Sequence, residues 1–223
     1  MPPEGRDVVL AAFDVSRETR ARLDAYVRLL GQWQRTTNLV ADATMPEVWE
    51  RHVADSLQFR PLCQPAKRWV DLGSGGGFPG LVTAILVADE GDAHVDLVES
   101  NGKKAAFLRT VIRELGLPAT VHAIRIEAAG EVLAWADAVS ARALASLGAL
   151  LGMVAGRIGP QVPCFFAKGR SHGEEIVDAS RRWRFTLREH PSRVAAEAAI
   201  LEVADIRPRT GEPGTSETRA SEE

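Results

Sequence analysis

Cysteine is nearly absent: Cys63 and Cys164 are the only two in 223 residues, and they belong to no C-x-x-C pattern. That argues against a disulfide framework or a cysteine zinc site, and for a reducing compartment. No apolar run approaches the length of a membrane span; "LVTAILVA" (81–88) stops far short. The start, "MPPEGRDVV", lacks the apolar core of a signal peptide. A soluble cytoplasmic protein is the expectation. No His/Asp/Glu cluster has metal-ligand spacing, so no metal is expected. A strong charge of one sign is missing too. The formal net charge of −3 supplies no global field for a polyanion, so any nucleic-acid contact must be a local patch. Large apolar residues are absent from "PRTGEPGTSETRASEE" (208–223), which reads as a disordered tail.

What is present divides into two rhythms. Residues 1–66 read as an N-terminal helical extension. Leu23, Tyr26, Val27, Leu30 and Trp33 recur at spacings of three and four and form one apolar stripe. Thr36-Thr37-Asn38 reads as a break, and Met45-Pro46-Glu47 as the start of a second helix carrying Trp49 and His52. Residues 67–207 alternate strands and helices. "RWVDL", "HVDLVE", "ATVHAI", "ADAVSA" and "VPCFFAK" are strands, and 101–116 is a helix closed by Gly116 and Pro118. This order predicts an α/β fold with a doubly wound, mostly parallel sheet.

The loop after the first strand carries the chemistry. "GGGFPG" (75–80) fits the G-x-G-x-x-G fingerprint of dinucleotide sites, whereas Asp71 to Gly77 fits the D-x-G-x-G-x-G turn of S-adenosylmethionine-dependent methyltransferases. In the dinucleotide fingerprint the first glycine follows the strand directly. Starting at Gly75 strands Leu72-Gly73-Ser74 as a spacer, and starting at Gly73 puts Phe78 where the third glycine belongs. The second pattern uses every residue from Asp71 and predicts a Rossmann-like class I methyltransferase core. Glu99 then ends the second strand, where a carboxylate suits the ribose of either cofactor.

Beyond the loop, "YVRLLGQWQRTTNLV", "VWERHVADSL", "VDLGSGGGFPGL", "LVESNGKKAAFLR", "VSARALASL" and "FAKGR" occur in sequence order. In that order and spacing the chain resembles the bacterial small-subunit ribosomal RNA guanine-N7 methyltransferases, formerly glucose-inhibited division protein B. The resemblance implies S-adenosylmethionine as cofactor, with Asp71, Gly73, Gly75, Gly77 and Phe78 at the loop and Glu99 on the ribose. It implies that Ile126 and Glu127 flank the adenine and that Arg142 reaches the cofactor or the base. It also implies a target in the 530 loop of 16S ribosomal RNA, met within the small subunit or an assembly intermediate. Where many members carry Pro or Ala in the middle of the loop, this chain has Gly76.

The residues after the fourth strand, Ser140-Ala141-Arg142-Ala143, lack the Asn/Asp-Pro-Pro-aromatic clamp used for exocyclic amines. Cys164 lies in an apolar strand, where an inert buried thiol is expected rather than the nucleophile of pyrimidine C5 chemistry. Guanine N7 offers an in-plane lone pair and no proton, so no acid–base residue is required. Candidate RNA contacts are Arg51, His52, Arg142, Lys168 and Arg170. Arg51 also stands four residues from Asp55, a spacing suited to a plain ion pair, and Arg181, Arg182 and Arg184 read equally as a solvated face. Ribose 2′-oxygen methylation, a small-molecule acceptor and a non-catalytic RNA-binding domain remain as alternatives.

Overall fold

Strand β1 (Arg68–Leu72) is buried along all but its first residue, as a central strand covered on both faces must be. The computed structural model describes residues 5–63 and 66–209. In it β1 pairs in parallel with β2 (His94–Val98) and β4 (Ala138–Arg142). β3 (Ala119–His122) and β5 (Cys164–Lys168) extend the sheet on either side, also in parallel. Two antiparallel pairings complete it, β7 (Ala199–Pro208) on β5 and β6 (Trp183–Pro191) on β7. The strand order is β3-β2-β1-β4-β5-β7-β6. Its direction of growth reverses between β1 and β4, the switch point at which open α/β sheets bind ligands beyond their carboxyl ends.

The helices cover both faces. α2 (Arg17–Gln34) buries Leu23, Tyr26, Val27 and Leu30, the expected stripe, and Ser16 caps its first turn by accepting from the Thr19 N–H. It packs on α4 (Gly80–Leu86) and α5 (Gly102–Leu115). Asn101 caps α5 by accepting from Lys103 and Lys104, and Gly116 ends it at φ +60°, a conformation only glycine adopts without cost. One apolar cluster joins Val9 and Leu10 of α1 (Arg6–Ala12) to Trp69, Leu97 and Phe165 of the sheet. The N-terminal helices therefore share the core of the sheet rather than building their own. The opposite face carries α6 (Gly130–Ala134), α7 (Leu147–Val154) and α8 (His172–Arg182) over Val70, Val139 and Leu201.

Three expectations change. No regular helix starts at Met45; the chain makes a 3-10 turn at Asp42–Thr44, then a π-helical turn at Trp49–Ala54 that runs into the short α3 (Asp55–Leu57). Pro46 has no N–H to give, and Ser56 Oγ donates to the His52 carbonyl at 2.7 Å within the widened stretch. Pro208, placed in the tail by the sequence, ends β7 opposite Trp183. The rest of it, 210–223, lies outside the described residues. Helix α1 has no counterpart in the sequence reading. Among the described residues no helix is long and apolar enough to cross a membrane.

Candidate active site

The loop from Gly73 to Pro79 leaves β1 through three glycines of positive φ: Gly73 (+63°), Gly75 (+55°) and Gly77 (+95°). Each sits in the left-handed region, where a side chain is strained. The turn is closed by the Gly77 N–H on the Ser74 carbonyl at 2.7 Å and tied to β2 by the Ser74 N–H on Val98 at 3.1 Å. Glu99, at the end of β2, accepts from the Gly75 N–H at 2.8 Å and from the Asn101 N–H at 2.7 Å. Each carboxylate oxygen keeps a lone pair for another donor. A cleft of about 320 Å³ opens here, lined by Gly73, Gly75, Glu99, Ile126, Glu127 and Leu144 among others. Arg157 fixes its far wall by donating to the carbonyls of Ile126 and Glu127 at 3.1 Å. A fixed carboxylate beside an apolar slot fits a nucleoside: the acid matches ribose hydroxyls, and Ile124, Ile126 and Met153 match a flat base.

The N-terminal helices hold this loop from behind. Tyr26, fully buried on α2, donates its hydroxyl to the Gly76 carbonyl at 2.6 Å. A Cβ at Gly76 would lie 3.0 Å from the Leu39 carbonyl oxygen, so the chain approaches the loop closely at Leu39. The Phe78 ring packs 5.2 Å from Tyr26 and stacks 5.1 Å from His52.

A second, larger cleft of about 600 Å³ lies beyond β4 and β5, lined in part by Arg51, His52, Asp55, Arg142, Ala143 and Lys168. Arg142, at the end of β4, donates to Asp55 and to the Arg51 carbonyl, both at 3.1 Å, and to His52 at 2.6 Å. Its guanidinium lies 5.4 Å over the Phe78 ring. Burial, then the positive charges of Arg142 and Arg51, push the His52 imidazole down to about 4. Ala143 lines both clefts and holds φ +50°, a costly conformation for a residue with a Cβ. The two chambers thus meet at the carboxyl end of β4, beside the switch point.

Comparison with known proteins agrees with this layout. A family model described as rRNA small subunit methyltransferase G matches residues 19–202. The chain belongs to that family. The protein named ribosomal RNA small subunit methyltransferase G from Rhizobium etli is 49% identical over 195 residues, covering 86% of this chain and 95% of its own. The protein of the same name from Bartonella tribocorum is 44% identical over 193 residues, covering 86% and 91%. Among solved structures, a putative O-methyltransferase from Klebsiella pneumoniae superposes with a TM-score of 0.57 at 15% identity, covering 90% of this chain and 96% of its own. A MtNAS variant in complex with S-adenosylmethionine gives 0.53 at 16% identity, covering 91% and 86%. These two share the fold, a Rossmann-like class I architecture.

Within this family member the expected site residues separate into three groups. Gly73, Gly75, Glu99, Ile126 and Glu127 line the smaller cleft, and Arg51, His52, Arg142 and Lys168 line the larger. Asp71, Gly77 and Phe78 line neither. Asp71 is fully buried, accepting from Ser140 Oγ at 2.7 Å, and Ser140 accepts from the Trp69 indole at 2.8 Å. A Cβ at Gly80 would come within 2.5 Å of Asp71 Oδ2, so strand and helix close tightly over the carboxylate. Gly77 makes room for Leu81, and Phe78 faces the helices. Arg170 stands outside both clefts, paired in solvent with Glu197 at 2.7 Å.

Two partnerships differ from expectation. Arg51 pairs with Glu47, four residues earlier, while Asp55 serves Arg142. Lys168 carries partners of its own: its ammonium donates to Glu175 at 2.7 Å and to the Ala145 carbonyl. Glu175 also accepts from the Leu147 N–H at 2.7 Å, so the pair holds the loop between β4 and α7. Cys164 is fully buried, and burial raises its thiol far above the ordinary range. Tyr26, Leu39 and Thr44 were not anticipated; the apolar stripe that includes Tyr26 gave no hint of a hydroxyl aimed at the loop.

Proposed function

We propose that this protein transfers the methyl group of S-adenosylmethionine to N7 of a guanine in the 530 loop of 16S ribosomal RNA, in the cytoplasm. The observation that carries the reading is the meeting of two clefts at Ala143, one suited to a nucleoside cofactor and one to a base. S-adenosylmethionine supplies, when bound, an electrophilic methyl group on a sulfonium. Glu99 would accept the ribose hydroxyls, Ile126 and Glu127 would flank the adenine, and Gly73 and Gly75 would let backbone approach the ligand. Arg142, in the larger cleft beside the shared Ala143, would hold guanine O6 or an adjacent phosphate, since an arginine at N7 would block the lone pair that reacts.

The side chains near the junction match an acceptor that needs no base. His52 has both ring nitrogens engaged and a depressed proton affinity. Asp55 is held by Arg142, and Lys168 by Glu175. Catalysis then rests on alignment and exclusion of water. The Lys168–Glu175 pair is the one feature that favours ribose 2′-oxygen chemistry, which needs a lysine and a carboxylate. Its polar atoms already secure Ala145 and Leu147.

The test uses methyl-labelled S-adenosylmethionine and small ribosomal subunits from cells lacking the gene, with the RNA digested to nucleosides and analysed by mass spectrometry. Labelled 7-methylguanosine is expected. A labelled 2′-O-methylnucleoside, another labelled base or no label would refute the reading.

A further inference from the structure

The arginines left over from the active site gather at the opposite end of the molecule. Helix α8 ends at Arg182 and passes directly into edge strand β6, where Arg184 lies across from Arg207 of β7. The Arg209 N–H donates to the Arg182 carbonyl at 2.8 Å, which sets these two side by side as well. Together with Arg181 they place five exposed arginines within about two residues of one another along paired chains.

The local acids neutralise two of the five. Asp178 is taken by Arg181 at 3.3 Å, and Asp205 by Arg207 at 2.7 Å. Arg182 and Arg184 have no carboxylate partner among the described residues, and the Arg209 side chain donates only to the Trp183 carbonyl, at 3.4 Å. Like charges directly opposite across a strand pair are destabilising. Charge along an edge strand does guard against sheet-to-sheet pairing. That guard needs no arginine placed against an arginine, nor charge crowded at one end of the strand.

We infer that this array is a second RNA-binding surface, which grips the phosphate backbone of small-subunit ribosomal RNA well away from the methyl-transfer cleft. The inference rests on the proposed reaction for the identity of the RNA. Guanidinium groups unpaired in solvent are suited to phosphate oxygens, and in a chain of near-neutral charge such a patch is where a polyanion is held. β7 sets the separation. Ala199 lines the larger cleft, and the strand from there to Pro208 spans about 30 Å. Contacts so far apart lie beyond the target nucleotide and its immediate neighbours.

The experiment measures binding of the full-length protein to salt-washed small ribosomal subunits across a range of KCl concentrations. The variants are Arg182→Gln/Arg184→Gln/Arg209→Gln and the corresponding triple lysine substitution. The glutamine variant is expected to bind about tenfold more weakly, with the slope of log K against log salt reduced by about two to three. The lysine variant keeps most of the slope, and both keep wild-type affinity for S-adenosylmethionine. A glutamine variant with wild-type affinity and slope overturns the inference, as does a lysine variant that fails equally. Because the readout is binding, failure to find 7-methylguanosine would strike the proposed reaction and leave this result standing.

Discussion

Arg142 donates to Nδ1 of His52 at 2.6 Å, across 90 residues of sequence, and this bond fixes the state of the imidazole. Arginine has no acceptor and keeps its proton, so Nδ1 must carry none. The ring proton then sits on Nε2, facing Thr44 Oγ1 at 2.8 Å, and Thr44 donates onward to the Ala41 carbonyl at 2.7 Å. Donors run in one direction from β4 into the helical segment. His52 is in this arrangement a positioning residue, holding the guanidinium over Phe78.

His52→Asn keeps an acceptor one bond from Cγ, where Nδ1 stood; His52→Phe keeps the stacked ring and removes the acceptor. The phenylalanine variant is expected to lose roughly tenfold to a hundredfold in kcat/KM for RNA, the scale of a hydrogen bond to a charged group. The asparagine variant recovers most of it, and the KM for S-adenosylmethionine moves little in either. Equal losses in both variants would show that the acceptor is not what matters.

The same bond predicts a titration. Burial, Arg142 and Arg51 hold His52 at about 4, below its unfolded value of about 6.5. The stability it contributes is present above the unfolded value and is lost as pH falls through the folded one. Nitrogen NMR should find a neutral ring in the Nε2–H tautomer throughout the neutral range and down to about pH 5.5. A midpoint near the ordinary histidine value would contradict the arrangement.

Asp71 has the opposite sign. Burial raises it to about 6, while its bonds to Ser140 and Ser74 oppose the rise. A carboxyl that holds its proton longer in the folded state favours folding below the unfolded value of about 3.9, and that contribution fades as pH rises through about 6. The melting temperature of Asp71→Asn minus that of wild type should therefore become more positive between pH 5 and pH 7. A difference independent of pH would place the Asp71 ionisation at its ordinary value.

Glu99 offers a sharper test of the smaller cleft. Its two oxygens receive the N–H groups of Gly75 and Asn101. Glu99→Gln turns an NH2 toward one of these donors and removes the charge. Affinity for S-adenosylmethionine, by calorimetry, is expected to fall about tenfold to a hundredfold. Unchanged affinity would move the ribose elsewhere.

Local chemistry made much of this molecule legible in its sequence. The strand ending in Asp71, the glycine turn, Glu99 at the end of β2, and the helix between Asn101 and Gly116 are each specified within a few residues. Partner choice was not. Arg51 has a carboxylate four residues away on either side, and only the π-helical turn and the arrival of Arg142 decide that Arg51 pairs with Glu47 and Arg142 with Asp55. Lys168 looked free because Glu175 lies on the following helix, at a distance fixed by tertiary packing. The Tyr26 hydroxyl meets Gly76 across 50 residues, and no periodicity marks that bond.

The most direct measurement locates the modified base in the RNA itself. A 7-methylguanine reduced with borohydride and treated with aniline breaks the strand at its own position, so 16S RNA from cells with and without the gene can be compared by primer extension. One cleavage within the 530 loop is expected, absent from the deletion strain and restored by the wild-type chain but not by one carrying Glu99→Gln together with Arg142→Ala. Cleavage that persists without the gene, or that lies outside that loop, would contradict guanine N7 of the 530 loop as the target.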